Sequence, residues 1–113
     1  MAPAATTQLT DAQRLIARAM PEATLLAHVR ELARLKGWRT YHTLRSKGSE
    51  AGFPDLVMVR GTRLIFVELK TMEGRMTPAQ KEWIKAFKTM PWIGVYVWRP
   101  SQWLSGEIEE ALV

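Results

Sequence analysis

The chain has no cysteine. That single absence excludes disulfides, thiolate zinc sites, iron–sulfur clusters and cysteine nucleophiles, and it fits a reducing compartment. No apolar run approaches the roughly 20 residues that a membrane helix needs. Met1–Gln8 has neither a basic start nor an apolar stretch, so it does not read as a signal peptide. The expectation is a soluble, intracellular, cytoplasmic protein with no membrane partner. Internal repeats and low-complexity segments are missing too, and nothing after residue 10 reads as a linker.

What is present is ordinary globular material: 113 residues, 47% apolar and 24% charged. A chain of this size buries roughly two-thirds of its unfolded surface, enough for one core. The expected organisation is a flexible tail over 1–9 and a single domain over 10–113. Sixteen Lys and Arg against eleven Asp and Glu leave a formal charge of +5, a mild pointer to a polyanion.

Thr10 and Gln13 have the spacing of a capping box, which predicts a first helix to about Ala19. Pro21 suits the first turn of a second helix that runs to Lys36 and stops at Gly37. Leu25, Leu26, Val29, Leu32 and Ala33 form its buried stripe, and Glu22 aligns with that stripe. Trp38–Leu44 reads as a strand and Arg45–Gly52 as a polar loop. Leu56–Arg60 and Leu64–Lys70 read as a hairpin turning at Gly61–Thr62. Thr77, Pro78 and Gln80 repeat the helix-start signature for a third helix with Trp83, Ile84 and Phe87 inward. Trp92–Trp98 reads as a fourth strand, followed from Pro100 by one short helix. The order α–α–β–β–β–α–β–α is a mixed α/β domain with a small four-stranded sheet.

Alternation along Leu64–Lys70 puts Glu68 and Lys70 on one face of the sheet. The hairpin returns the chain so that Glu68 comes near Asp55, which opens the neighbouring strand after Gly52-Phe53-Pro54. Two converging carboxylates raise each other's pKa unless a cation lies between them. Hard oxygen ligands suit Mg²⁺ or Mn²⁺, which keep waters and bind substrate phosphate. Lys70 beside them is placed to orient or polarise a water, and the set has the parts that phosphodiester hydrolysis requires. Singly each residue has a plainer reading. Asp55 serves as a turn residue after Pro54, Glu68 and Lys70 as a solvated edge pair, Glu22 as a first-turn acid favoured by the helix dipole, and Gln80 as a capping partner.

The extended pattern Gly52-Phe53-Pro54-Asp55-Leu56, then Glu68-Leu69-Lys70, then Thr77-Pro78-x-Gln80 with Trp83, resembles the VRR-NUC family of the PD-(D/E)xK nuclease superfamily, over about Glu22 to Pro100. The resemblance implies a restriction-endonuclease-like core: a small mixed sheet flanked by helices. It implies Asp55 and Glu68 as metal ligands helped by the Leu69 carbonyl, Lys70 as the catalytic lysine, Glu22 completing the site, and Gln80 close to it. Arg45, Ser46 and Lys47 would face nucleic acid. The implied activity is a Mg²⁺- or Mn²⁺-dependent DNA endonuclease, selective for branched, flapped or four-way-junction DNA. Like the Holliday-junction resolvases that small members of the family resemble, it would work as a homodimer, a stand-alone domain of the phage type. The rival readings are a non-cleaving nucleic-acid-binding module on the same fold, and an exonuclease or restriction-like enzyme.

Overall fold

The computed structural model describes residues 8–44 and 48–113. The helices α1 (Asp11–Ala19) and α2 (Glu22–Leu35) precede the strands β1 (Arg39–His42), β2 (Leu56–Arg60) and β3 (Arg63–Leu69). Then come α3 (Pro78–Lys88), β4 (Gly94–Trp98), α4 (Pro100–Leu104) and α5 (Glu107–Ala111). Among the described residues no helix is long and apolar enough to cross a membrane.

Both expected capping boxes form. Thr10 and Gln13 exchange side-chain bonds with each other's backbone at the start of α1, and Thr77 and Gln80 do so at the start of α3. Each pair satisfies two amide donors that helix geometry leaves open. Gly37 follows α2 at φ 84°, the left-handed conformation that ends a helix.

The sheet order is β1-β2-β3-β4. The first two pairings are antiparallel and β3 with β4 is parallel, so α3 is the crossover between them. One face, carrying Leu56, Met58, Ile65, Val67, Leu69 and Trp98, packs on Leu25, Val29 and Ala33 of α2 and on Ile108 and Leu112 near the C-terminal end. The other face carries Phe66 and Glu68 and receives α3. There Phe66 stacks on Phe87 at 4.0 Å, and Phe53 meets Trp83 edge-on at 5.1 Å. Glu68 and Gln80 are thus buried on the α3 side of the sheet.

Three expectations are corrected. The first strand ends at His42 rather than Leu44, with Leu44 exposed. The fourth starts at Gly94 rather than Trp92, which is 73% exposed; pairing with β3 begins only where Gly94 comes abreast of Ile65. The C-terminal segment holds two short helices, because Gly106 at φ 87° breaks the chain between α4 and α5.

The pole of the sheet at the β2–β3 turn is closed by a clasp. Arg60 and Arg63 both lie over the Trp38 ring, at 4.6 and 4.8 Å. Their guanidinium groups donate to carbonyls of Ala111, Leu112 and Val113, and the Trp38 Nε1–H donates to Leu112 O at 3.0 Å. The opposite pole, where β2 begins and β3 and β4 end, is left for the site.

Candidate active site

Asp55 immediately precedes β2. One step beyond the Leu56–Val67 pair of the antiparallel register, it comes abreast of Glu68 on the same face. Its backbone is held from three sides. Pro54 is fully buried, Phe53 is locked into the aromatic cluster, and Asp55 O accepts from Thr43 N at 2.8 Å. Gly52 makes the approach possible at φ 87°: a Cβ there would lie 2.5 Å from the Ala79 carbonyl carbon and 2.7 Å from Gln80 N. The Trp83 Nε1–H donates to Ala51 O at 3.1 Å, fastening the same loop to α3.

The Asp55 carboxylate is tied to the adjacent strand, its Oδ2 accepting from Leu69 N at 2.8 Å. That bond draws the Leu69 backbone to the acid. Glu68, only 1% exposed, accepts from Gln80 Nε2 at 2.9 Å and lies 3.7 Å from Lys70 Nζ, both through Oε2. Lys70 is itself buried, its amide donating to Trp98 O at 3.0 Å. The orientation of the Gln80 amide follows from its two partners: the oxygen takes the Thr77 amide, so the nitrogen must face Glu68.

No donor reaches Glu68 Oε1, which is buried. Burial is the first cause that pushes the Glu68 carboxyl up to about 8. The Asp55 carboxylate adds to it as a charge and as a hydrogen-bond acceptor, Lys70 opposes, and Glu22 raises it further. An acid that costs this much to ionise, beside a second acid, is an arrangement that a cation relieves. Glu22, at the first turn of α2, is exposed but near enough for its charge to be felt at Glu68. Among the described residues no three acidic or imidazole side chains close into a preformed cage. A cation here would rest on the Asp55–Glu68 pair, backbone oxygen and water, a donor set that Mg²⁺ and Mn²⁺ accept.

The structure therefore brings Asp55, Glu68, Leu69, Lys70 and Gln80 together, with Glu22 within electrostatic reach. Arg45, Ser46 and Lys47 lie outside the described residues. Two residues escaped the sequence reading. Arg99 donates through one guanidinium nitrogen to the carbonyls of Thr71 (2.6 Å), Gly74 (2.7 Å) and Met72 (3.4 Å), and so holds the loop that follows Lys70. Its acceptors are backbone atoms, and no side-chain pattern announces them. Thr43 has a buried hydroxyl without a partner. It borders a cavity of about 280 Å³ whose walls include Gly52, Phe53, Thr77 and Gln80, so this cavity adjoins the site at Gln80.

The family model for the VRR-NUC domain matches residues 4–98. A solved structure described as a VRR_NUC domain protein superposes with a TM-score of 0.59 at 22% identity, covering 83% of this chain and 91% of its own. At that identity the likeness speaks for the fold. No curated protein matches the chain.

Proposed function

The chain belongs to the VRR-NUC domain family, a nuclease-type domain, and from that premise we propose that it is a metal-dependent DNA endonuclease that hydrolyses phosphodiester bonds. The observation that carries this reading is Glu68: a carboxylate buried beside Asp55, with one oxygen that no protein donor reaches.

Asp55, Glu68 and the Leu69 carbonyl would hold Mg²⁺ or Mn²⁺, with Glu22 closing the open side. Such an ion, when bound, acidifies water and offsets the charge that develops on the phosphate oxygens. The protein's own residues prepare the rest. Leu69 N–H fixes one Asp55 oxygen, and the Gln80 amide fixes one Glu68 oxygen, while Glu68 Oε1 keeps no protein partner. Lys70 Nζ, held at Glu68, supplies a donor to orient the attacking water or a phosphate oxygen. The Phe53, Phe66, Trp83 and Phe87 rings pack against one another and fix the segment that leads into Asp55.

The substrate is proposed to be branched, flapped or four-way-junction DNA, cut by a homodimer. Light scattering at micromolar concentration tests the dimer; a monomeric mass overturns it. For the activity, labelled four-way junction, flap, linear duplex and single-stranded DNA are incubated with Mg²⁺, Mn²⁺ or EDTA. Cutting that needs metal and disappears in Asp55→Ala supports the endonuclease, and a closed circular substrate separates it from an exonuclease, which needs an end. Binding without cutting under every condition overturns it in favour of a non-cleaving module.

A further inference from the structure

Lys81, Lys85 and Lys88 recur at four- and three-residue spacing along α3, and all three are exposed. This places them on one side of the helix, since Gln80, Ile84 and Phe87 take the inward side and Ala79, Glu82, Trp83 and Ala86 line the side toward Glu50 and Ala51. Among the described residues, the ion pairs Arg14–Asp11, Arg34–Glu31 and Lys70–Glu68 leave these three lysines out, so none of the three is held in one of these close salt bridges. Arg75, also exposed, lies in the loop that leads into α3.

The helix has a fixed direction relative to the site. Its first turn presents Gln80 to Glu68, and its last turn leads to the start of β4 beside Ile65, toward the clasped pole. The lysines therefore run from the end of α3 that carries Gln80, the residue bonded to Glu68, toward the clasped pole. At 1.5 Å per helical residue, Lys81 to Lys88 spans about 10 Å, which is about three nucleotide steps at 3.4 Å along one strand.

We propose that the Lys81–Lys85–Lys88 side of α3 is a track for the phosphate backbone of duplex DNA flanking the cleavage site. The choice of partner rests on the nuclease reading; the track itself rests on charge and position. Its contacts are to phosphate, so it contributes affinity and direction without reading bases.

The test is binding of a fluorescein-labelled 20-base-pair duplex, followed by anisotropy in EDTA from 50 to 300 mM KCl. The wild type is compared with the triple variant Lys81→Ala/Lys85→Ala/Lys88→Ala and with a charge-matched triple, Arg18→Ala/Arg30→Ala/Arg39→Ala, drawn from exposed positions elsewhere. Alanine is the best helix former, so α3 retains its propensity; circular dichroism checks it, and the single charge reversal Lys85→Glu gives a second route if the triple variant misfolds. Each phosphate contact contributes about 0.9 to the slope of log K against log salt. The expected result is a slope shallower by about two to three units for the α3 triple and little change for the other. Equal loss in both triples, or none in either, overturns the track. Binding in EDTA requires no cleavage, so the slopes are readable even from a protein that cuts nothing, and the failure of one reading stays separate from the failure of the other.

Discussion

Gln80 Nε2 donates to Glu68 Oε2 across 2.9 Å, and both residues are almost wholly buried. One amide thereby serves two structures: its oxygen caps α3 through Thr77 N, and its nitrogen steadies the acid at the end of β3. Gln80→Leu removes both contacts. The expected loss is about 2–3 kcal/mol of stability, from a cap and from a buried carboxylate left without its donor. Cleavage should fall about 10- to 100-fold, as when a metal ligand loses its supporting partner. Thr77→Ala removes the cap alone, costing about 1 kcal/mol. Denaturant unfolding read beside the cleavage rate separates the two effects. Equal activity losses in both variants would make Gln80 merely a capping residue.

Glu68 also sets a pH dependence. Its carboxyl, raised from the usual 4.5 to about 8 chiefly by burial and then by Asp55, stays protonated in the folded protein over a range where the unfolded chain has released its proton. The folded state holds the extra proton, so stability of the metal-free protein must fall as pH rises through that range. Thermal unfolding in EDTA from pH 5 to 9 should show a declining Tm for the wild type and a flatter profile for Glu68→Gln. Added Mg²⁺ should raise the wild-type Tm more at pH 8.5 than at pH 6, because binding must displace the proton. A Tm that climbs with pH in EDTA would contradict the burial assigned to Glu68.

The loop that delivers Asp55 depends on Gly52. An added Cβ at φ 87° would meet the Ala79 and Gln80 backbone, atoms that no rotamer change can move aside. Gly52→Ala should cost on the order of 3 kcal/mol through strain and overpacking, with activity falling further as Asp55 shifts. Gly48 is the comparison: its φ is 96° but nothing lies within 4 Å of the added Cβ, so Gly48→Ala should cost only about 1 kcal/mol. Urea unfolding of the pair decides it. Equal costs would mean that only the dihedral matters at Gly52.

Much of this site was legible because its determinants are local. Capping boxes at Thr10–Gln13 and Thr77–Gln80 need only three-residue spacing, and the tight turn at Gly61–Thr62 brings Glu68 back to Asp55 by counting residues. Alternation placed Lys70 with Glu68. The errors lie where distant chain decides. Trp92 has the composition of a strand residue, but the parallel ladder begins only at Gly94. Glu22 shares the stripe of α2 with Leu25 but is exposed, and it is its charge that is felt at Glu68. The capping role of Gln80 is complete in the sequence, and nothing local discloses that its free nitrogen meets Glu68.

Arg99 is the residue whose contribution the sequence hides most fully, and it yields the sharpest separation of positioning from chemistry. Its guanidinium takes three carbonyls of the Thr71–Gly74 loop, and that loop rests against Lys70: a Cβ on Gly74 would lie 3.5 Å from Lys70 Cδ. Freed from Arg99, the three carbonyls turn to water and the loop loses its reason to lie over the lysine. Arg99→Ala should lower kcat about tenfold, on the scale of a lost supporting contact, while KM changes less. Arg75, exposed at the end of that loop, gives an independent readout, since trypsin should cut after it faster in the variant than in the wild type at equal global stability. Arg99→Lys, with a single cationic head for three acceptors, should fall between the two. A variant that cuts DNA at the wild-type rate while its loop becomes trypsin-sensitive would show that Lys70 holds its place without the loop, and Arg99 would then be only a fastening of the fold.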